Sequence, residues 1–200
     1  MEIAVKIVLL GWGSLIWDLR KAFDEKHDDW LDDGPSLKLE FSRVSQTRND
    51  ALTLVLDLEN GAPCQVAYAL SKRNNTDDAI CDLRSREGTT LKNIGFCFVD
   101  KPGKRCRDEE TLQVIRSWAS NKKIDVVVWT DLENNFLEKS KCKKSFSKEA
   151  ALCHIQDLDP EGKSKAAEYV FRAPSFIKTP LREALQTEPW FKKKMDGLGC

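Results

Sequence analysis

No window of this 200-residue chain is apolar for long enough to cross a bilayer, a task that takes roughly 20 consecutive apolar residues. A membrane-spanning helix is therefore excluded, and no membrane partner is expected. The opening residues also lack a basic segment followed by a small-residue cleavage site, so no secretory leader is expected. Ile3, Val5 and Ile7 instead alternate with Glu2, Ala4 and Lys6, which predicts a first strand over 1–10. An excess of charge of one sign is missing too: 32 basic residues balance 32 acidic ones, leaving no global field to gather nucleic acid. Histidine occurs only as His27 and His154, too few for a zinc site of clustered imidazoles and thiolates. The 7 cysteines (Cys64, Cys81, Cys97, Cys106, Cys142, Cys153, Cys200) are odd in number and contain no C-x-x-C, a usage that fits reduced thiols in the cytoplasm.

What is present is a chain long enough for one domain with a real core, and a single domain over 1–200 is expected, with a helical C-terminal extension from about residue 131. Leu37, Leu39 and Phe41 alternate with polar neighbours. Ala51–Asp57 (ALTLVLD) and Cys64–Leu70 (CQVAYAL), separated by the turn ENGAP, read as adjacent antiparallel strands. Thr76 is a candidate cap for a helix that carries Ile80 and Leu83 and ends at Gly88. Asn93–Val99 and Ile124–Thr130 read as strands around a helix capped by Asp108, with Leu112, Ile115 and Trp118 on one face. Asp159-Pro160 and Thr179-Pro180 each mark a helix start. Strands concentrate in the first half and helices in the second, which predicts α+β.

The most distinctive stretch is Gly11-Trp12-Gly13-Ser14 at the end of the first strand. A dinucleotide fingerprint would need a third glycine where Ile16 stands, and a nucleophile elbow would need glycines at Trp12 and Ile16. No Walker loop is present, and Cys153 and His154, adjacent on a helix, point about 100° apart. Two readings remain for the loop. Either its bare main chain forms a concavity for a carboxylate or oxyanion, or it is a tight turn in which Trp12 and Trp17 fill core.

GWGSLIW, followed by RVSQTRNDALTLVLD (Arg43–Asp57), CQVAYAL and LRSREG, resembles the gamma-glutamylcyclotransferase superfamily, in particular its ChaC-like branch. That branch opens with a strand ending in Tyr-Gly-Ser-Leu/Asn and carries a catalytic glutamate in a later Leu-Asp-x-Arg/Gln-Glu segment. The likeness covers about Ile7–Val99, and EYVFRAPSFIKTPLREAL resembles uncharacterised bacterial relatives. Trp12 stands where the branch has tyrosine, and no Gly-Gly-Tyr follows the glutamate. The resemblance implies a gamma-glutamylcyclotransferase-like mixed β-sheet or barrel with packed helices. It implies cofactor-free release of 5-oxoproline and an amine from a γ-glutamyl amide or peptide.

By position the resemblance assigns the catalytic acid/base to Glu87 and the substrate loop to Trp12, Gly13, Ser14 and Leu15. Arg48 is a candidate to pair a substrate carboxylate through its bidentate fork. Each has a structural alternative: Glu87 a solvated glutamate balanced by Arg84 and Arg86, Arg48 a surface arginine near Asp50. A non-catalytic small-ligand or protein-interaction module on the same fold, and an amide hydrolase using the same glutamate, are the alternative functions. Lys139, Lys141, Lys143, Lys144 and Lys148 read as a solvated face rather than a nucleic-acid surface.

Overall fold

A computed structural model describes residues 5–196. The first four positions of the predicted opening strand, and Cys200, lie outside the described residues. The elements run in the order β1 (Ile7–Gly11), α1 (Ser14–Trp17), α2 (Lys21–Asp24), β2 (Ser36–Ser45), β3 (Ala51–Leu56), β4 (Ala62–Gln65), β5 (Ala67–Leu70) and α3 (Thr76–Glu87). Then follow β6 (Ile94–Phe98), β7 (Lys104–Arg105), α4 (Glu109–Asn121), β8 (Val126–Thr130), α5 (Phe136–Lys139), α6 (Lys148–Gln156), α7 (Pro160–Arg172), α8 (Pro180–Thr187) and α9 (Pro189–Asp196). The architecture is mixed α+β with two open sheets, in the strand orders β5-β1-β8-β6-β7 and β3-β2-β4. Neither sheet closes into a barrel, so of the two forms anticipated the mixed sheet is the one observed. The helices of the described chain after β8 are α5 to α9. No helix among the described residues is long and apolar enough to cross a membrane.

The chain divides into two compact units, Met1–Leu37 with Gln65–Leu132, and Lys38–Cys64 with Glu133–Cys200. In the first, β1 pairs parallel with β8 and antiparallel with β5, while β6 pairs antiparallel with β8. All of β1 is buried, as expected of a strand with neighbours on both sides and cover on both faces. One face carries Ile7, Leu9, Val126, Val128 and Ile94, packed against Ala79, Ile80 and Leu83 of α3, with Leu15 and Phe23 in the same cluster. The other face receives α4, whose Leu112, Ile115 and Ala119 are buried and whose Arg116 reaches Cys97. Asp108 caps α4 as its sequence predicts. At α3 the cap is Asn75, one residue before Thr76, its side chain accepting from the Asp77 N–H.

In the second unit β2 lies between β3 and β4. This corrects the expectation that ALTLVLD and CQVAYAL pair with each other. The apolar run Cys64–Leu70 is also not one strand: β4 ends at Gln65 and β5 starts at Ala67, in different sheets. The break falls at Val66, whose N–H donates to the Pro35 carbonyl at 3.0 Å and whose own carbonyl takes the Gly34 N–H at 3.0 Å. An unbroken apolar run carries no mark of such a change of partner.

A register shift between Glu40 and Arg43 interrupts the alternation of β2, and Leu39, Glu40, Phe41 and Ser42 are all buried. The Glu40 carboxylate is satisfied by the N–H groups of Phe41 (2.7 Å) and Leu181 (3.2 Å), the latter in the first turn of α8. Asp159 and Thr179 cap α7 and α8 in front of their prolines, as predicted.

Two outcomes test this account. Leu83→Ala should lower stability in urea unfolding by about 2–5 kcal/mol, whereas Arg84→Ala, on the exposed side of the same helix, should change it by less than about 0.5 kcal/mol. Burial, the largest influence, pushes the Glu40 carboxyl up against its hydrogen bonds. The folded chain then holds this proton where the unfolded chain has lost it. The resulting stabilisation is complete below the unfolded pKa and is lost as pH rises through the folded value. Carbon-13 NMR should place the Glu40 midpoint above the ordinary glutamate range; a midpoint at or below that range would mean its donors outweigh burial.

Candidate active site

The strand β1 ends on Gly11, and a Cβ there would overlap the Trp30 ring. Two residues on, Gly13 has φ 58° and ψ −138°, a conformation strongly disfavoured for residues with a Cβ. The chain turns there into the single-turn helix α1, closed by the Ile16 N–H on the Gly13 carbonyl at 3.1 Å and the Asp18 N–H on the Ser14 carbonyl at 2.9 Å. Trp12 and Leu15 are buried, Leu15 within the core cluster, so those two side chains serve packing. What the loop offers a ligand is its main chain and the half-buried Ser14.

Helix α3 ends on Glu87, with Gly88 in the left-handed conformation as its C-cap. The Gly88 and Thr89 N–H groups turn back to the Ser85 and Arg84 carbonyls at 3.3 and 3.2 Å. Two arginines then brace this helix end against the loop. The Arg86 side chain is only 2% exposed, and its Nη2 donates to the carbonyls of Ser14 at 2.9 Å and Asp18 at 2.8 Å. In the opposite direction, Arg20 Nη1 donates to the Arg86 carbonyl at 3.1 Å, and its Nη2 meets the Asp18 carboxylate at 3.2 Å. Each guanidinium thus answers main-chain carbonyls of the other's segment.

Glu87 is carried by this brace. Its side chain is 18% exposed, and its Oε1 lies 3.7 Å from Arg86 Nη1. Burial pushes the Arg86 guanidinium down, and the nearby Arg20 pushes the same way. The charges of Glu87, Asp18 and Asp24 push it back up. A buried cation without those carboxylates would be costly, so the acidic groups and Arg86 depend on one another.

Comparison of the chain with family models gives no match, and comparison with curated proteins gives none. The reading of the site therefore rests on its own geometry and on the resemblance of its motifs.

The structure brings Trp12–Leu15 and the Glu87 helix end together within the first unit. Arg48 belongs to the second unit, where its guanidinium lies over the Tyr169 ring, 5.2 Å from the centroid. Arg86, Arg20 and Asp18 were not singled out by sequence reasoning, in which Arg86 entered only with Arg84, as a counterion in the alternative reading of Glu87 as a solvated glutamate. The signal was present: Ala79, Leu83 and Arg86 follow the i, i+4, i+7 spacing of one helix face, and that face is the buried one.

His154 is fully buried, its Nδ1 accepting from the Lys141 N–H at 3.0 Å and its Nε2 2.8 Å from the Asp50 carbonyl, while Cys153 is exposed. Burial pushes the Cys97 and Cys106 thiols up to about 11 each, which keeps both protonated at neutral pH. Among the described residues, no group of three or more His, Cys, Asp or Glu side chains is placed to hold a metal ion.

Removing the brace should loosen the loop. Arg86→Met deletes two hydrogen bonds from a charged donor, each worth about 1.5–3 kcal/mol, and should lower global stability by at least about 1.5 kcal/mol. Hydrogen exchange at the Ile16 and Asp18 amides should accelerate beyond the global effect. Unchanged local protection would show that the loop holds its shape without Arg86.

Proposed function

We propose that the chain is a γ-glutamyl cyclotransferase with a gamma-glutamylcyclotransferase-like fold, converting a γ-glutamyl amide or peptide to 5-oxoproline and a free amine. The observation that carries this reading is the pair of arginine braces, which hold the Glu87 helix end beside the glycine loop. The motif resemblance assigns these same two segments to the acid/base and to the substrate loop. The six described cysteines are free thiols, which supports a reducing cytoplasmic setting.

The reaction is internal to the substrate. Its α-amine nitrogen forms a bond to the γ-carbonyl carbon, the carbonyl oxygen gains charge, and the bond from that carbon to the leaving nitrogen breaks. Glu87 removes one proton from the α-ammonium before attack and delivers it to the departing nitrogen; the second proton, shed by the ring nitrogen as the lactam closes, follows the same route, so the amine leaves as an ammonium, protons balance and no cofactor enters the step. Main-chain N–H groups of Trp12–Leu15, with the Ser14 hydroxyl, orient the γ-glutamyl group and stabilise the oxyanion. Trp12 replaces the hydroxyl-bearing tyrosine of the family pattern, which leaves that task to the main chain.

The test is mass spectrometry of products from a panel of γ-glutamyl amides. The expected product is 5-oxoproline, and Glu87→Gln should reduce its formation by about 10²–10⁴-fold while circular dichroism stays unchanged. Free glutamate in place of 5-oxoproline would make the protein an amide hydrolase. Saturable binding without turnover would make it a binding module, and full activity in Glu87→Gln would remove the acid/base assignment.

A further inference from the structure

Within the second unit, a cleft of about 640 Å³ is lined by Gln156, Lys163, Trp190, Lys193 and Lys194. These residues come from the end of α6, the start of α7 and the middle of α9. The volume falls in the range of small-molecule sites. Its described lining holds three ammonium groups and no carboxylate, around one indole wall. Phe191, fully buried, anchors α9 and meets Trp190 with ring planes 88° apart, so it does not stack flat on the indole.

The Trp190 Nε1–H is screened from solvent and has no hydrogen-bond partner among the described residues. With no accessible surface, that donor does not face the cleft, so the indole lines it as an apolar wall. An aromatic wall calls for a planar ring, and three clustered cations call for several negative charges on the same molecule. We propose that this cleft binds a nucleotide, with its base against the Trp190 indole and its phosphates among Lys163, Lys193 and Lys194.

Titration calorimetry of the full chain at low salt, with ATP, tripolyphosphate and adenosine as probes, tests the proposal. ATP should bind saturably, and adenosine and tripolyphosphate, each lacking one half of the recognition, should bind at least about tenfold more weakly. The double variant Lys193→Glu/Lys194→Glu changes only exposed side chains and should keep its circular dichroism and melting profile, yet weaken ATP by at least about tenfold. Trp190→Leu should bring ATP down to the level of tripolyphosphate. The proposal is overturned by an absence of saturable ATP binding at millimolar concentration, or by undiminished ATP binding in the lysine variant. Equal affinity for ATP and tripolyphosphate, unaffected by Trp190→Leu, would also overturn it, by reducing the cleft to a general attraction for polyanions.

Discussion

The parallel pairing of β1 with β8 is the constraint on which the first unit depends. Ile7, Val8 and Leu9 lie in register with Val126, Val127 and Val128. Parallel strands cannot be joined by a tight turn, so every intervening element of the unit must be accommodated before the chain returns to pair. The pairing is held by burial on both faces, with the α3 side chains on one and α4 on the other, because neither strand has a polar face to give to water. With β1 an interior strand, its end determines where the glycine loop begins, and the packing of Ile80 and Leu83 in the same core cluster fixes α3 beside it.

Positioning of the candidate site is then a matter of the last few ångströms, which apolar packing alone does not specify. Hydrophobic contacts are non-directional, whereas a guanidinium has a fixed fork of donors. Arg86 and Arg20, each donating to a carbonyl at the end of the other's segment, convert an approximate juxtaposition into a defined one. Burying such a cation is unfavourable unless its charge is answered; two carbonyls take Nη2 and the surrounding carboxylates offset the charge, while the buried Nε has no hydrogen-bond partner among the described residues. Glu87 is one of those carboxylates, so the group proposed for proton transfer is also part of what keeps its own support charged.

The second unit solves the burial of polar groups in the same way with different residues. Glu40 is capped by main-chain donors, and Arg182 gives its guanidinium to the carbonyls of Ala173, Pro174 and Ile177 at 2.6–2.7 Å. His154 is bonded through both ring nitrogens. Ser42 Oγ and Trp190 Nε1 are buried there without a hydrogen-bond partner among the described residues.

Local features of the fold were legible in the sequence because they depend on local physics. Gly88 ends α3, Asp108, Asp159 and Thr179 cap their helices, and the β-rich runs at Ala51, Ile94 and Val126 are strands, each a consequence of backbone preference or side-chain period within a few residues. The helix ending at Glu87 and the turn at Gly13 were likewise set by composition. Which strand lies beside which was not, since apolar periodicity says that a face is buried but not against what. That is why β2 falls between β3 and β4, and why one apolar run divides at Val66 into two sheets. The burial of Arg86 was decided only by the tertiary structure. Its spacing placed it on the inner face of α3, but a cation becomes a structural brace only when carbonyls distant in sequence arrive within hydrogen-bond reach.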